Sequence, residues 1–295
     1  VRILAAVDVH DQAESVVDRV APWALRLGAQ VDLCHASQWS TEGLPRPPNP
    51  GDELDRLWAE WAGRADAERA RLSSLAARLP PEVRGAARLI AGPPADALRD
   101  ASVGYDLLAV ASHQRTGLSR LVNGSVSARI VRSAPIPVLV LGLGDPIPDP
   151  GEALYVLAPV DLADPGALPW IAAHLPWHRT ELVHARTEDA PVWVPGPPRA
   201  VFAPPSSEAV GTELADLARS AGFAGAPTHV VAATGNPGNA IAGIGASLGV
   251  DLIVLASHQR RGAARALLGS VAERVLERAR SAVIVVPWAA AGDAG

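Results

Sequence analysis

The stretch ASHQRTGLSRLVNGSV at residues 111–126 recurs as ASHQRRGAARALLGSV at residues 256–271, with ten of the sixteen positions identical and no gap. A phrase of that length written twice in 295 residues implies two copies of one domain. Each copy continues an apolar run of strand length and ends in a glycine–serine pair at the start of a helical pattern. The first turn of a helix carries backbone N–H groups with no partner inside the helix, and such groups bind anions. The repeat therefore points to a ligand as well as to a duplication.

Upstream of the first copy, residues 2–8 form an apolar run closed by Asp8 and a polar turn, the pattern of a buried parallel strand. In residues 12–27 the side chains of Val16, Val20, Trp23, Ala24 and Leu27 mark one face of a helix, which Gly28 stops. Further strands are expected at 31–36, 84–90, 106–111 and 137–141, and helices at 52–79, 95–103 and 125–132. The second half repeats the alternation, with strands at 154–160, 180–185, 228–232, 251–256 and 282–286. Buried strands alternating with crossover helices predict an α/β fold: two tandem doubly wound domains, each built on a five-stranded parallel sheet. The expected domains are 1–143 and 153–289, with a linker at 144–152 in the Pro- and Gly-rich GLGDPIPDPGE and a tail at 290–295. The offset between copies is 153 at Asp8 and Asp161, 143 at Gly92 and Gly235, and 145 at Gly124 and Gly269. The second copy is thus about ten residues shorter between its first and third strands, so its ligand cover should differ.

Composition narrows the chemistry. The chain is 48% apolar and 19% charged with a formal net charge of -5, a soluble and mildly acidic character that does not recommend nucleic acid as a partner. All 26 basic residues are Arg. Without Lys, a G-x-x-x-x-G-K-[ST] phosphate loop and Schiff-base chemistry are both excluded. Cys34 stands alone, so no internal disulfide or Cys-cluster metal site is expected. No run approaches the roughly 18 apolar residues of a membrane span, and the amino terminus enters a strand pattern without the parts of a signal peptide. A cytoplasmic protein with no membrane association is the expectation.

In an open parallel sheet, ligands bind beyond the carboxyl ends of the strands where strand order reverses. If strands one and four of each copy are neighbours, Asp8 and Asp161 face the repeated phrase across one crevice. A carboxylate accepts hydrogen bonds from ribose hydroxyls or an adenine amine, while Gly124–Ser125 and Gly269–Ser270 offer N–H and hydroxyl groups to phosphates. Arg115 and Arg260 are placed to add charge-assisted contacts. Each residue also has a structural explanation: the glycines as tight turns, Ser125 and Ser270 as helix N-caps, the aspartates as loop-fixing groups. His113 and His258 follow Ser112 and Ser257, but adjacent residues leaving a strand point to opposite faces, so no catalytic pair is expected. His35 and His184, in LCHAS and LVHAR, read as packed strand histidines rather than metal ligands, and Cys34 as a small buried hydrophobe.

With these residues, both halves resemble universal stress protein domains, and the chain resembles the tandem form of that family. The family's nucleotide signature is G-x-x-G, nine residues, then G-[ST], with an Asp after the first strand. The first copy matches it at Asp8, Gly124 and Ser125, with Val126 and Ser127 following; the second matches at Asp161, Gly269 and Ser270. GPPADAL at Gly92 and GNPGNAI at Gly235 resemble the family's turn into the helix before strand four. The first two signature glycines are replaced by Ala111 and Gln114, and by Ala256 and Gln259. Gln at this position occurs in family members that do not bind ATP, because a long side chain stands where the backbone must approach phosphate.

The resemblance implies a Rossmann-like fold of the adenine nucleotide alpha hydrolase type. It further implies binding of ATP or another adenine nucleotide, with Mg²⁺, by the residues above together with Ala36 against the adenine. The first copy is favoured, since Ala272 takes the place of Ser127 in the second. On this basis we expect a nucleotide-responsive regulatory or protective protein of the stress response, with ATP hydrolysis at most slow and incidental. A scaffold acting through protein–protein contacts, with both sites closed by Gln114 and Gln259, is the alternative. Family members pair through their last strands, so an intramolecular pseudo-dimer and a homodimer of chains are expected, with protein partners unidentified.

Overall fold

The computed structural model describes all of the chain except residues 41–44, 48, 50, 113–125, 143–144, 146–152, 176–178, 188–205, 234, 258–267 and 288–295. It divides into two compact units, each with five strands. The first contains β1 (Arg2–Ala6), α1 (Ala13–Leu27), β2 (Gln30–Ser37), α2 (Glu53–Ala77), β3 (Arg84–Ala91), α3 (Pro94–Ala101), β4 (Leu107–Ser112), α4 (Val126–Ser133) and β5 (Val138–Gly142). The second contains β6 (Tyr155–Pro159), α5 (Leu168–His174), β7 (Arg179–Thr187), α6 (Ser207–Ser220), β8 (Thr228–Ala233), α7 (Pro237–Leu248), β9 (Leu252–Ser257), α8 (Ser270–Arg278) and β10 (Ala282–Pro287). Within each unit every strand pairing is parallel, in the orders β3-β2-β1-β4-β5 and β8-β7-β6-β9-β10. The chain thus has the doubly wound α/β fold expected from the alternation of elements. The expected linker at 144–152, Asp145 apart, and the expected tail at 290–295 lie outside the described residues.

Central strands need apolar side chains on both faces, and the sequence supplies them. Ile3, Leu4, Leu108, Leu139, Leu157, Ile253 and Ile284 are inaccessible to solvent. The apolar stripe of α1 is buried at Val16, Val17, Val20, Trp23 and Ala24, and Gly28 ends the helix at φ 56°, a left-handed conformation that glycine adopts without strain. Asp52 caps α2 by accepting the Asp55 N–H at 2.8 Å. The helix stops at Ala77 rather than 79 because its last turn tightens, with the N–H groups of Arg78 and Leu79 bonding the carbonyls of Leu75 and Ala76. Cys34 lies inside the first sheet. Burial pushes its thiol up to about 12 despite the opposing charge of Arg88, so it behaves as the small hydrophobe expected.

One pair of buried carboxylates escaped the sequence pattern. Asp32 lies opposite Leu4 and Glu181 opposite Leu157, the same register position in both copies. A buried carboxylate is tolerated only when donors surround it. Asp32 accepts from the Ala86 N–H at 2.7 Å and the Tyr105 hydroxyl at 2.5 Å. Glu181 meets Arg179 Nη2 and His229 Nε2, each at 2.6 Å. Burial by itself raises the Glu181 pKa, but the Tyr155 hydroxyl, His229 and Arg179 together hold it below its ordinary value of 4.5. A depressed carboxylate contributes stability that is present above the unfolded pKa and is lost as pH falls through the folded one. Hydrogen exchange of β7 should therefore show wild-type protection declining from about pH 4.5 downward, and Glu181→Gln should flatten that decline.

Candidate functional site

The two sheets share one topology at their centre. β1 pairs with β4 through Ile3–Leu107, Leu4–Leu108 and Ala5–Ala109, and β6 pairs with β9 through Val156–Leu252 and Leu157–Ile253. Strand order reverses at these pairs, so the chain leaves the sheet in opposite directions and opens a gap at the carboxyl ends. Asp8 and Asp161 stand just beyond β1 and β6. Each fixes its own loop: Asp8 Oδ1 accepts the His10 N–H at 3.0 Å, and Asp161 Oδ1 accepts the Ala163 N–H at 3.1 Å. Their backbone carbonyls accept the N–H groups of Asp11 and Asp164 at 3.1 and 2.9 Å. Both aspartates are exposed, and one carboxylate oxygen of each is left uncommitted by these turns.

In the second unit the gap is a cavity of about 490 Å³, bounded by Asp161, Ala185, Ala256, Gly269, Ser270 and Ala272 among others. Asp161, Ala256, Gly269 and Ser270, singled out from sequence, thus line one space, with Ala185 in the place that matches Ala36. Gly269 is the N-cap of α8 and makes no side-chain cap, while Ser270 is already the first helical residue. This corrects the N-cap expectation for Ser270. The first intrahelical bond runs from the Glu273 N–H to the Gly269 carbonyl at 3.0 Å, so the N–H groups of Ser270, Val271 and Ala272 have no helical acceptor. They give this wall of the cavity a partial positive charge.

The GNPG turn explains how α8 is held there. Gly235 has φ 86°, Pro237 opens α7, and Asn236 caps it by accepting the Gly238 N–H at 2.8 Å. Asn236 also donates to the Ser270 carbonyl at 3.2 Å. A Cβ on Gly238 would come within 2.6 Å of the Val271 carbonyl oxygen, so only glycine lets α7 approach α8 this closely. Sequence pattern alone marked the turn but not that approach.

In the first unit, Ala36 is half-buried at the end of β2, Ala111 is buried at the end of β4, and Val126 and Ser127 open α4 with Val126 exposed. Ser127 donates its hydroxyl proton to the Ala111 carbonyl at 2.9 Å, joining the start of α4 to the end of β4. Gln114, Arg115, Gly124, Ser125 and Gln259, with His113, His258 and Arg260, lie outside the described residues. His35 and His184 make the same contact, Nδ1 to the carbonyls of Val7 and Val160 at 3.1 and 2.9 Å. A carbonyl only accepts, so Nδ1 carries the proton. In the first unit two further groups join His35: His10 and Glu68 come together with it, His10 Nε2 lying 2.8 Å from Glu68 Oε1. Neither His10 nor Glu68 was singled out from sequence, since 58 residues separate them and α2 alone places the carboxylate.

A family model described as "Universal stress protein family" matches residues 1–142 and again 154–287. The chain belongs to the universal stress protein family. Universal stress proteins of Mycobacterium tuberculosis and Mycobacterium bovis are each 32% identical to it over 255 residues, 81% of either chain. Among solved structures, a universal stress protein from Archaeoglobus fulgidus superposes with a TM-score of 0.63 at 16% identity, covering 97% of this chain and 98% of its own. A putative universal stress protein from Pseudomonas aeruginosa gives 0.58 at 16%, covering 97% and 92%. These two likenesses establish the tandem fold. Among the described residues no helix is long and apolar enough to cross a membrane.

The universal stress protein frame makes the two copies directly comparable at one hydroxyl. Ser127 of the first copy corresponds to Ala272 of the second, and the second builds its helix start without that bond. Ser127→Ala should therefore cost no more than about 1 kcal/mol, the net value of one hydrogen bond, measured as the shift in urea unfolding of the first unit. A much larger loss would mean that this bond, rather than α4 packing, secures the end of β4.

Proposed function

We propose that this universal stress protein is a nucleotide-responsive regulatory or protective protein, and that an adenine nucleotide such as ATP or AMP binds in the crevice between the first and fourth strands of a domain. The observation that carries this reading is the cavity of the second unit. Its volume falls in the range of about 300–1,000 Å³ typical of small-molecule sites. One wall offers the free N–H groups of the α8 start, suited to phosphate. Asp161 stands opposite, with a carboxylate oxygen available for ribose hydroxyls. His184 has its Nδ1 proton on Val160, which leaves Nε2 as an acceptor beside Ala185.

The residues present suit a nucleotide without a lysine. The backbone N–H groups of the α8 start supply partial positive charge, and Mg²⁺ would neutralise part of the phosphate charge when ATP is bound. In the first copy the matching residues are Asp8, Ala36, Ala111, Gln114, Arg115, Gly124, Ser125, Val126 and Ser127. The proton of Ser127 is already given to Ala111, so its hydroxyl offers a phosphate only lone pairs. That removes the ground for preferring the first copy. Binding would act by linkage: a ligand that orders the loops around the crevice shifts the surface offered to protein partners. We assign no enzymatic role beyond slow, incidental hydrolysis, and place the domains at 1–143 and 153–289 in a cytoplasmic protein.

Calorimetry with ATP and with AMP tests the reading. Saturable binding is expected. Ala185→Phe, which fills the cavity, should weaken it at least about tenfold, while Asp161→Asn, which keeps the turn acceptor and loses the charge, should weaken it less. No heat at millimolar ligand, together with no nucleotide released on denaturing purified protein, would leave the protein-contact scaffold as the better account.

A further inference from the structure

Three side chains at the carboxyl end of the first sheet form a cluster that the nucleotide reading does not use. His10 follows Asp8 in the loop after β1, His35 lies near the end of β2, and Glu68 reaches up from α2. Their nearest nitrogen and oxygen atoms all lie within 4.8 Å of one another. Glu68 Oε1 is 2.8 Å from His10 Nε2 and 3.7 Å from His35 Nε2. The imidazole rings meet edge to face with centroids 5.7 Å apart. Glu68 is only 6% exposed; burial by itself raises its carboxyl pKa, but the Ser37 hydroxyl beside it and the two histidines hold it below the ordinary value, while Oε2 is buried with no partner in hydrogen-bonding geometry.

Three features make this more than an ion pair. His35 gives its Nδ1 proton to the Val7 carbonyl, so Nε2 carries a lone pair aimed at the carboxylate. Metal-binding histidines commonly give their other ring N–H to a backbone carbonyl in this way, which fixes the tautomer and the ring orientation. The second unit repeats the histidine and its carbonyl bond through His184 and Val160, but Ala163 stands in the place of His10. The His–carbonyl bond thus recurs where no histidine stands in the place of His10. Finally, a carboxylate buried with one oxygen outside hydrogen-bonding geometry is costly, and a cation would compensate it more fully than the neighbouring hydroxyl and imidazoles do. Bonds of 2.0–2.1 Å in a tetrahedron put ligand atoms about 3.3 Å apart, and the two separations to Glu68 Oε1 bracket that value.

We propose that His10 Nε2, His35 Nε2 and Glu68 form a binding site for a divalent transition cation, Zn²⁺ being the best match. Imidazole and carboxylate ligands suit zinc, and three protein ligands leave a fourth position for water. His10 is mostly exposed, so the cation can enter from solvent. The bound ion would tie α2 to the loop that carries Asp8, a link with no counterpart among the described residues of the second unit. Binding of the metal alone does not depend on any nucleotide.

The test uses tag-free, metal-stripped, full-length protein, with Zn²⁺ titrated in competition with a chromophoric chelator at neutral pH and no nucleotide present. One Zn²⁺ per chain is expected. His10→Ala, at an exposed position, and Glu68→Gln should each weaken binding at least about tenfold, whereas His174→Ala, on α5 of the second unit, should leave it unchanged. Co²⁺ should give visible d–d absorption in the wild type that His10→Ala abolishes, with circular dichroism unaltered. Unchanged Zn²⁺ affinity in His10→Ala, or no stoichiometric binding by the wild type, would overturn the assignment and reduce the cluster to a His10–Glu68 ion pair.

Discussion

The parallel pairing of β1 with β4, and of β6 with β9, sets two non-consecutive strands side by side, and what lies above them follows. Strands on one side of the pair connect through helices on one face, and those on the other side through helices on the opposite face. The loop after the first strand and the helix after the fourth are therefore carried apart, leaving a space rather than a contact. Asp161 enters that space from one side, and Gly269 and Ser270 from the other. Neither the aspartate nor the helix start would have a ligand-sized gap between them if the first and fourth strands were not neighbours.

A second constraint works beside the first. The strand-two histidine of each copy holds the carbonyl of the residue immediately after strand one. This bond fixes the base of the Asp loop from below, while the aspartate fixes its upper part through its own turn. The two copies share the device and then diverge. The first surrounds its histidine with His10 and Glu68; the second leaves His184 facing the cavity. The ten-residue difference between copies falls in the same region, between first and third strands, where α2 of 25 residues carries Glu68 and α6 has 14. Divergence is thus concentrated above one end of the sheet, while the buried strands that carry the fold keep their order.

Fold and site were legible to different depths. The strand–helix alternation is local, and β4, β5, β9 and β10 read directly because they are buried runs of Val, Leu, Ile and Ala. The cavity residues Asp161, Ala256, Gly269 and Ser270 came from the repeat, because both the turn and the helix start have compositional marks. What sequence could not supply was contact across elements. Whether Ser270 caps α8 or begins it depends on one residue of helix phase. That His10, His35 and Glu68 meet depends on how α2 crosses the sheet, and Glu68 reads as one more charge on a helix rich in charge. Asp32 and Glu181 were missed for a related reason: a single acidic residue in a strand gives no sign of the donors around it.

The absence of lysine from the chain gives the α8 start added weight. Among the described residues that line the second crevice there is no arginine, so its fixed donors are the backbone N–H groups of the α8 start and the Ser270 hydroxyl. Their position depends on Gly238, where a side chain would strike the Val271 carbonyl, and on Asn236, which holds the Ser270 carbonyl. A helix start held by a neighbouring helix does not need a glycine-rich loop to present its N–H groups. The first turn of α8 is therefore set by its packing on α7 rather than by the glycine content of the preceding segment.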